Sequence, residues 1–257
     1  MSKSNNLPVN LSKHEFAFYW EHTSTTDIRT GDELRIEDKE FCHRLQHVVK
    51  LTKDERFLVF DQTHNIQLQL KQIAPKKFVL ANVIKKEKNK ILTPHITFLI
   101  PILKKEHFEH ALYSLVELGA QTIQPIITQK SQKAFKIQKA YTRFSKILIA
   151  AAEQSKNFAF PSLEKPVELS QYLEQKDQNN MQFFFDPAGA KANEIIKNIQ
   201  SKSYKQITLM IGPEGDLTQE EKTNIKNNGF IFCRLTPTVL RACQAVPIGL
   251  GLFRSLL

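Results

Sequence analysis

From His95 onward the chain alternates short apolar runs with helical patterns, and this alternation restricts its folding more than any other feature. His95–Ile100, Thr122–Ile127, Gln182–Asp186, Ile207–Ile211 and Phe230–Leu235 read as strands. Glu106–Leu118, a long stretch from about Gln132 to Ser155, Glu194–Ile199, Thr218–Asn228 and a final segment from about Arg241 read as helices. Strands separated by helices join through crossovers, so the expected architecture is α/β: a parallel sheet with helices on both faces. Gly119 and Gly229 stand where helices should stop. Pro187 is expected to end the third strand, and Pro247 to weaken the last helix.

The first third has a different rhythm. Glu15–Trp20, Arg56–Asp61, Ile66–Leu70 and Lys77–Ile84 are short strand candidates, interrupted by one helical insert, Lys39–Val49. The turn-forming run Asp61–Asn65 separates two of them. Short strands at this density predict a small β-barrel. The charged run Lys85–Lys90 breaks the apolar pattern and sets the expected boundary: a barrel over 1–86 and the α/β domain over 87–257. No internal repeat interrupts either part.

With 257 residues the chain has enough apolar material for its cores without staples. Lys and Arg exceed Asp and Glu by ten, a balance that attracts phosphate backbones. No apolar run approaches the length of a membrane span, and the N-terminal residues lack an apolar signal core. Cys42, Cys233 and Cys243 are odd in number and form no CxxC pair, so a reducing, cytoplasmic setting is expected. His43 and His47, and likewise His107 and His110, have helical spacing but no evident third ligand, so no metal is expected. Cys243 has no partner base in the sequence and reads as packing rather than as a nucleophile.

The chemistry is expected at three strand ends. Gly212-Pro213-Glu214-Gly215 follows an apolar strand, and Thr218 with Glu221 makes a capping box for the next helix. Ligands of open parallel sheets sit just beyond strand carboxyl ends. Glycines flanking a proline let the main chain approach a flat neutral group such as adenine. Asp186-Pro187 ends one strand; Leu235-Thr236-Pro237-Thr238-Val239-Leu240-Arg241 joins the last strand to the last helix. These loops form a small-molecule cleft if they share one sheet edge; the alternative is three routine turns.

Taken in order, Met210–Gly215, Thr218, Glu221 and Leu235–Arg241 resemble the SPOUT methyltransferases. More narrowly, the chain resembles the bacterial family that methylates N3 of a uridine in 16S ribosomal RNA of the small subunit. Val116–Gly119 followed by Ile123 and Pro125, and Ala151–Ser155, are similar to that family's second domain. Val48-Val49-Lys50 and Phe60-Asp61 are similar to its PUA-like RNA-binding barrel.

The resemblance implies a trefoil-knotted, dimerising C-terminal domain that binds S-adenosylmethionine. It places the cofactor at Asp186, Pro187, Ile211, Gly212, Pro213, Glu214, Gly215, Leu235, Thr236, Pro237, Val239, Leu240 and Arg241. Ribosomal RNA of the small subunit is the implied substrate. A nearby cation would favour the uridine anion, and Arg241 is the catalytic candidate. Lys50, Lys130, Lys133, Lys136, Lys139 and Arg143 are candidate RNA contacts, although a solvated helix face is the default reading of the helical ones.

The chain also departs from the family. Ala242-Cys243-Gln244 stands in place of Thr-Glu-Thr, His107 and Ser114 in place of lysines, Asn157 in place of an arginine, and Asp216 in place of a glycine. Gln129-Lys130-Ser131 likewise replaces Glu-Arg-Ser. A non-catalytic RNA-binding or ribosome-assembly protein, or a methyltransferase with another RNA target, is therefore the alternative expectation.

Overall fold

The computed structural model describes residues 15–23, 27–131, 137–175, 180–192, 194–195 and 204–256. The chain divides into two compact units, Met1–Lys88 and Asn89–Leu257.

In the first unit, β1 (Phe16–Tyr19), β2 (Glu33–Ile36), β3 (Arg56–Phe60), β4 (His64–Ala74) and β5 (Phe78–Lys88) form one sheet in the order β1-β3-β4-β5-β2. β1 pairs with β3 in parallel; the other pairs are antiparallel. Strict alternation drives the strands. Ile66, Leu68 and Leu70 are buried while Gln67 and Gln69 between them are more exposed. Phe18 on one edge strand and Ile36 on the other enter the same apolar cluster, so the sheet curls around its core. Helix α1 (Lys39–His43) continues as a π-helical turn, Arg44–Val48, and plugs that core with Phe41, Cys42 and Leu45. Asp38 caps α1 by accepting from the Phe41 amide at 3.0 Å. Two features differ from the sequence expectation. β2 is too short and polar to stand out, and β5 keeps its pairing through the lysine run as far as Lys88. That run sits on a strand end because β4 supplies ladder partners for it, regardless of its charge.

The second unit is a parallel sheet of β6 (His95–Pro101), β7 (Thr122–Ile127), β8 (Ser162–Leu163), β9 (Val167–Glu168), β10 (Met181–Lys191), β11 (Gln206–Ile211) and β12 (Ile231–Arg234). Its order is β12-β10-β11-β6-β7-β8, with β9 also on β7. The helices are α2 (Lys105–Glu117), α3 (Ile137–Ser155), α4 (Leu169–Gln175), α5 (Gln219–Asn227) and α6 (Ala242–Leu256). β10 shows how one strand serves two faces. Phe184 packs with Met210, Leu99, Leu173 of α4 and Ile225 of α5. Phe183 and Phe185 point the other way, with ring centroids 4.7 and 5.9 Å from Phe253 of α6. Phe108 of α2 meets Phe144 of α3 on that second side at 5.2 Å. Helices thus cover both faces, as the alternation predicts.

Pro187 does not end the third strand. The β10–β12 register jumps from Phe185↔Cys233 to Ala190↔Cys233, so Asp186–Gly189 loop out as a bulge and the strand resumes. A proline is tolerated in such a bulge because no ladder amide is required there. Pro247 does not break α6 either: Val246, Leu250 and Phe253 are fully buried, and their packing outweighs one missing backbone bond. Helix residues expected before Ile137 and after Ile195 lie outside the described residues.

The far end of α6 is anchored by Arg254. Its guanidinium donates to the carbonyls of Pro94 (2.8 Å) and Gly119 (2.6 Å) and to Gln121 Oε1 (2.7 Å). Burial pulls its pKa down to about 10.

Gly249 faces Phe185 so closely that a Cβ would lie 2.2 Å from the ring. That ring is itself held against Phe98 and Phe253. Gly249→Ala should therefore lower unfolding stability by about 1–3 kcal/mol despite alanine's better helix propensity. A lower urea midpoint checks this.

Candidate functional site: a cavity at three strand ends

β10, β11 and β12 are neighbours and run parallel, so the chain leaves all three at one sheet edge. There a cavity of about 500 Å³ opens, a size that suits a nucleoside-sized ligand. Asp186 and Pro187 come from the β10 bulge, Ile211–Glu214 and Asp216 from the turn after β11, and Val239–Ala242 from the entry to α6. Phe184 and Phe185 form an apolar wall, and His107 joins from α2. A smaller hollow of about 50 Å³ shares Phe185, Asp186, Pro187, Leu240 and Ala245 with it and adds Leu235, Thr236 and Thr238. Of the expected cofactor residues, only Gly215 and Pro237 line neither space.

The cavity's frame is electrostatic. Lys222 of α5 places its Nζ 2.9 Å from Asp186 Oδ2 and 2.9 Å from Asp216 Oδ2, tying the β10 bulge to the β11 turn. Asp186 also accepts from the Ala188 amide at 2.7 Å, which shapes the bulge. Burial opposes the charge on Lys222, yet the two carboxylates outweigh it and hold its pKa above the ordinary value. Burial similarly opposes the Asp216 carboxylate, and Lys222 overcomes it, so Asp216 titrates below its usual range. Sequence reading missed Lys222 because its partners lie on other elements, at no helical spacing.

The turn after β11 is pinned on its other side too. Glu214 Oε1 accepts from His107 Nδ1 at 2.9 Å and from the Lys104 amide at 3.2 Å, at the start of α2. Glu221, buried, completes the capping box with Thr218 and also accepts from the Gln129 amide at 2.8 Å. Lys130 reaches the Gly215 carbonyl at 3.2 Å, which places it on this turn. Gly212 is demanded neither by its backbone angle nor by its neighbours: an added Cβ would find its nearest protein atoms at 3.8 Å.

Arg241 immediately precedes α6, is exposed, and lines the cavity. No hydrogen bond or ion pair engages its guanidinium among the described residues, so it is not held as a structural ion pair there. Cys243 is buried in the first turn of α6, between the lining residues Ala242 and Ala245, and no group of three potential metal ligands gathers among the described residues. The expected RNA contacts scatter. Lys50 is exposed after the π-helical turn. Arg143 is engaged by Glu109 of α2 in a two-pronged pair at 2.5 and 2.8 Å. Lys133 and Lys136 lie outside the described residues, as does the side chain of Lys139.

A family model described as an RNA methyltransferase domain matches residues 90–254, nearly all of the unit that builds this cavity. The chain belongs to that family. Among its relatives is ribosomal RNA small subunit methyltransferase E 2 of Borreliella burgdorferi, 27% identical over 88% of this chain and 93% of that one. The ribosomal RNA small subunit methyltransferase E of Aquifex aeolicus is 25% identical over 88% of this chain and 95% of its own length. The crystal structure of such an enzyme from Neisseria gonorrhoeae, bound to S-adenosyl methionine, superimposes with a TM-score of 0.81. That likeness, at 21% identity, covers 95% of this chain and 98% of the other. At that identity the likeness shows a shared fold, and it agrees with the α/β architecture that the sequence resemblance implies.

Removing the Lys222 tie exposes its cost. Lys222→Met leaves the buried Asp186 carboxylate without its cation and should reduce stability by about 1–3 kcal/mol. Asp216, with its lowered pKa, stabilises the fold above its unfolded value and loses that contribution as pH falls through its folded value. Lys222, with its raised pKa, contributes below its unfolded value and loses that as pH rises through its folded value. The difference between wild type and variant in denaturant unfolding should therefore be full between about pH 5 and 9 and shrink outside it.

Proposed function

We propose that the protein transfers a methyl group from S-adenosylmethionine to N3 of a uridine in 16S RNA of the small ribosomal subunit. The observation that carries this is the coincidence of the family match with a nucleoside-sized cavity at three adjacent strand ends. The residues present fit the cofactor. Phe184, Phe185, Ile211, Val239 and Leu240 give the cavity apolar walls. The main chain of Ile211–Gly215 and Leu235–Leu240 offers donors and acceptors for a purine edge. Carboxylates at the same site, from Asp186, Glu214 and Asp216, suit the donor's ammonium and sulfonium charges.

When bound, S-adenosylmethionine supplies an electrophilic methyl group on a sulfonium. The protein's own task is then orientation and charge. Its loops fix the donor, and the unpaired guanidinium of Arg241 holds the uracil oxygen or a flanking phosphate through its fork of donors. A cation there also favours the uridine anion, the form with a free N3 pair. The ten-charge excess of Lys and Arg supports RNA as the substrate, gripped in part by the curled N-terminal sheet. The protein works as a homodimer in the cytoplasm. The outward side of α6, where Ile248 and Leu256 remain exposed, supplies an apolar surface for the pairing.

The decisive measurement is mass mapping of methylated nucleosides in small-subunit RNA from a deletion strain and from the purified reaction. A missing N3-methyluridine restored by the protein is the expected result. Methylation elsewhere would assign another target. Cofactor binding with no transfer to any RNA would favour a non-catalytic assembly role.

Two variants test the site. Gly212→Ala should keep the fold, since the protein leaves room for a Cβ, yet cut S-adenosylmethionine affinity about tenfold by calorimetry. Arg241→Ala should lower kcat by about 10²-fold while changing cofactor affinity little.

A further inference from the structure

His107 is a departure from the family's lysine that the reading above leaves without a task. It lies three residues after Lys104, in the first turn of α2, and is among the residues lining the cavity. Its side chain is about one-third exposed, so the ring is reachable. Nδ1 is 2.9 Å from Glu214 Oε1, and a carboxylate can only accept. Nδ1 therefore carries the hydrogen, and in the neutral ring the Nε2 lone pair is left available. Glu214 is in turn held by the Lys104 amide at 3.2 Å, the backbone donor that a capping-box side chain at position 107 would otherwise take. Base, orienting carboxylate and fixed backbone donor thus form a linked set at the cavity wall, the arrangement by which an imidazole is set up to take a proton.

We infer that His107 is the general base of the reaction, with Glu214 as its positioning residue. This rests on the methyltransferase reading. The uridine N3–H bond breaks and its proton passes to His107 Nε2. The electron pair left on N3 forms the bond to the methyl carbon, and the pair of the breaking carbon–sulfur bond returns to sulfur as a neutral thioether. Glu214 balances the imidazolium until the proton leaves to solvent. The other charged groups at this wall are Asp186 from β10, Asp216 from the β11 turn and Arg241 before α6, with Lys104, Lys105, Glu106 and His110 on or beside the first turns of α2. Arg241 and His107 divide the work: one steadies the anion and the other removes the proton.

The test uses the full-length protein, S-adenosylmethionine and small-subunit RNA. His107→Gln should lower kcat by about 10²-fold with cofactor affinity within about threefold of wild type, and should flatten the fall in rate on acidification. Glu214→Gln, which can still accept both hydrogen bonds but carries no charge, should lower kcat by about tenfold. Independently of activity, nitrogen NMR of the ligand-free protein should show neutral His107 as the Nδ1–H tautomer. A His107→Gln enzyme with wild-type kcat and pH profile, or a ring found as the Nε2–H tautomer, overturns the inference while leaving the methyltransferase reading intact. A folded wild type that binds cofactor but methylates no RNA overturns both.

Discussion

Parallel pairing of β10 between β11 and β12 is the constraint on which the site depends. Because the three strands point the same way, their exits fall on one edge, and residues separated by some fifty positions become neighbours. Side-chain alternation along β10 makes the arrangement stable: Phe184 serves one helical layer, and Phe183 and Phe185 serve the other. A one-residue slip would exchange those faces, so packing on both sides fixes the register and with it the position of the loops.

The loops are short of hydrogen-bonded secondary structure, and charge supplies the rigidity instead. Lys222 joins two of them from α5, and Glu214 ties the middle one to α2. These contacts leave Arg241 as the cavity cation without a protein counter-charge among the described residues. The contrast is informative. Charges used to build the site are paired within the protein, whereas the guanidinium facing the cavity is not.

The sequence made the architecture legible where periodicity was strong. The β6, β7 and β11 runs, the capping box at Thr218–Glu221 and the stop at Gly229 are local signals, and they hold. Two prolines mislead. At Pro187 the ladder resumes after a bulge, and at Pro247 buried packing overrides local propensity. The cavity lining was largely legible, because Gly212, Pro213 and the Leu235–Arg241 loop carry turn chemistry next to apolar strands. What holds the lining in place was not. Lys222 and the His107–Glu214 pair depend on contacts between elements, and no sequence spacing encodes them. Arg143 illustrates the converse: its helical spacing suggests a surface free for RNA, whereas Glu109 on the adjacent helix already engages it.

Phe185 belongs both to the packing beneath α6 and to the lining of the cavity. The interior of the domain and its ligand chamber therefore have a common partition, one ring thick. Pressure on one side is felt on the other, so an occupant of the chamber and the seating of the C-terminal helix are mechanically coupled. The chamber cannot be enlarged at this wall without also refitting the helix behind it, so room for an occupant of another shape is left on the loop side.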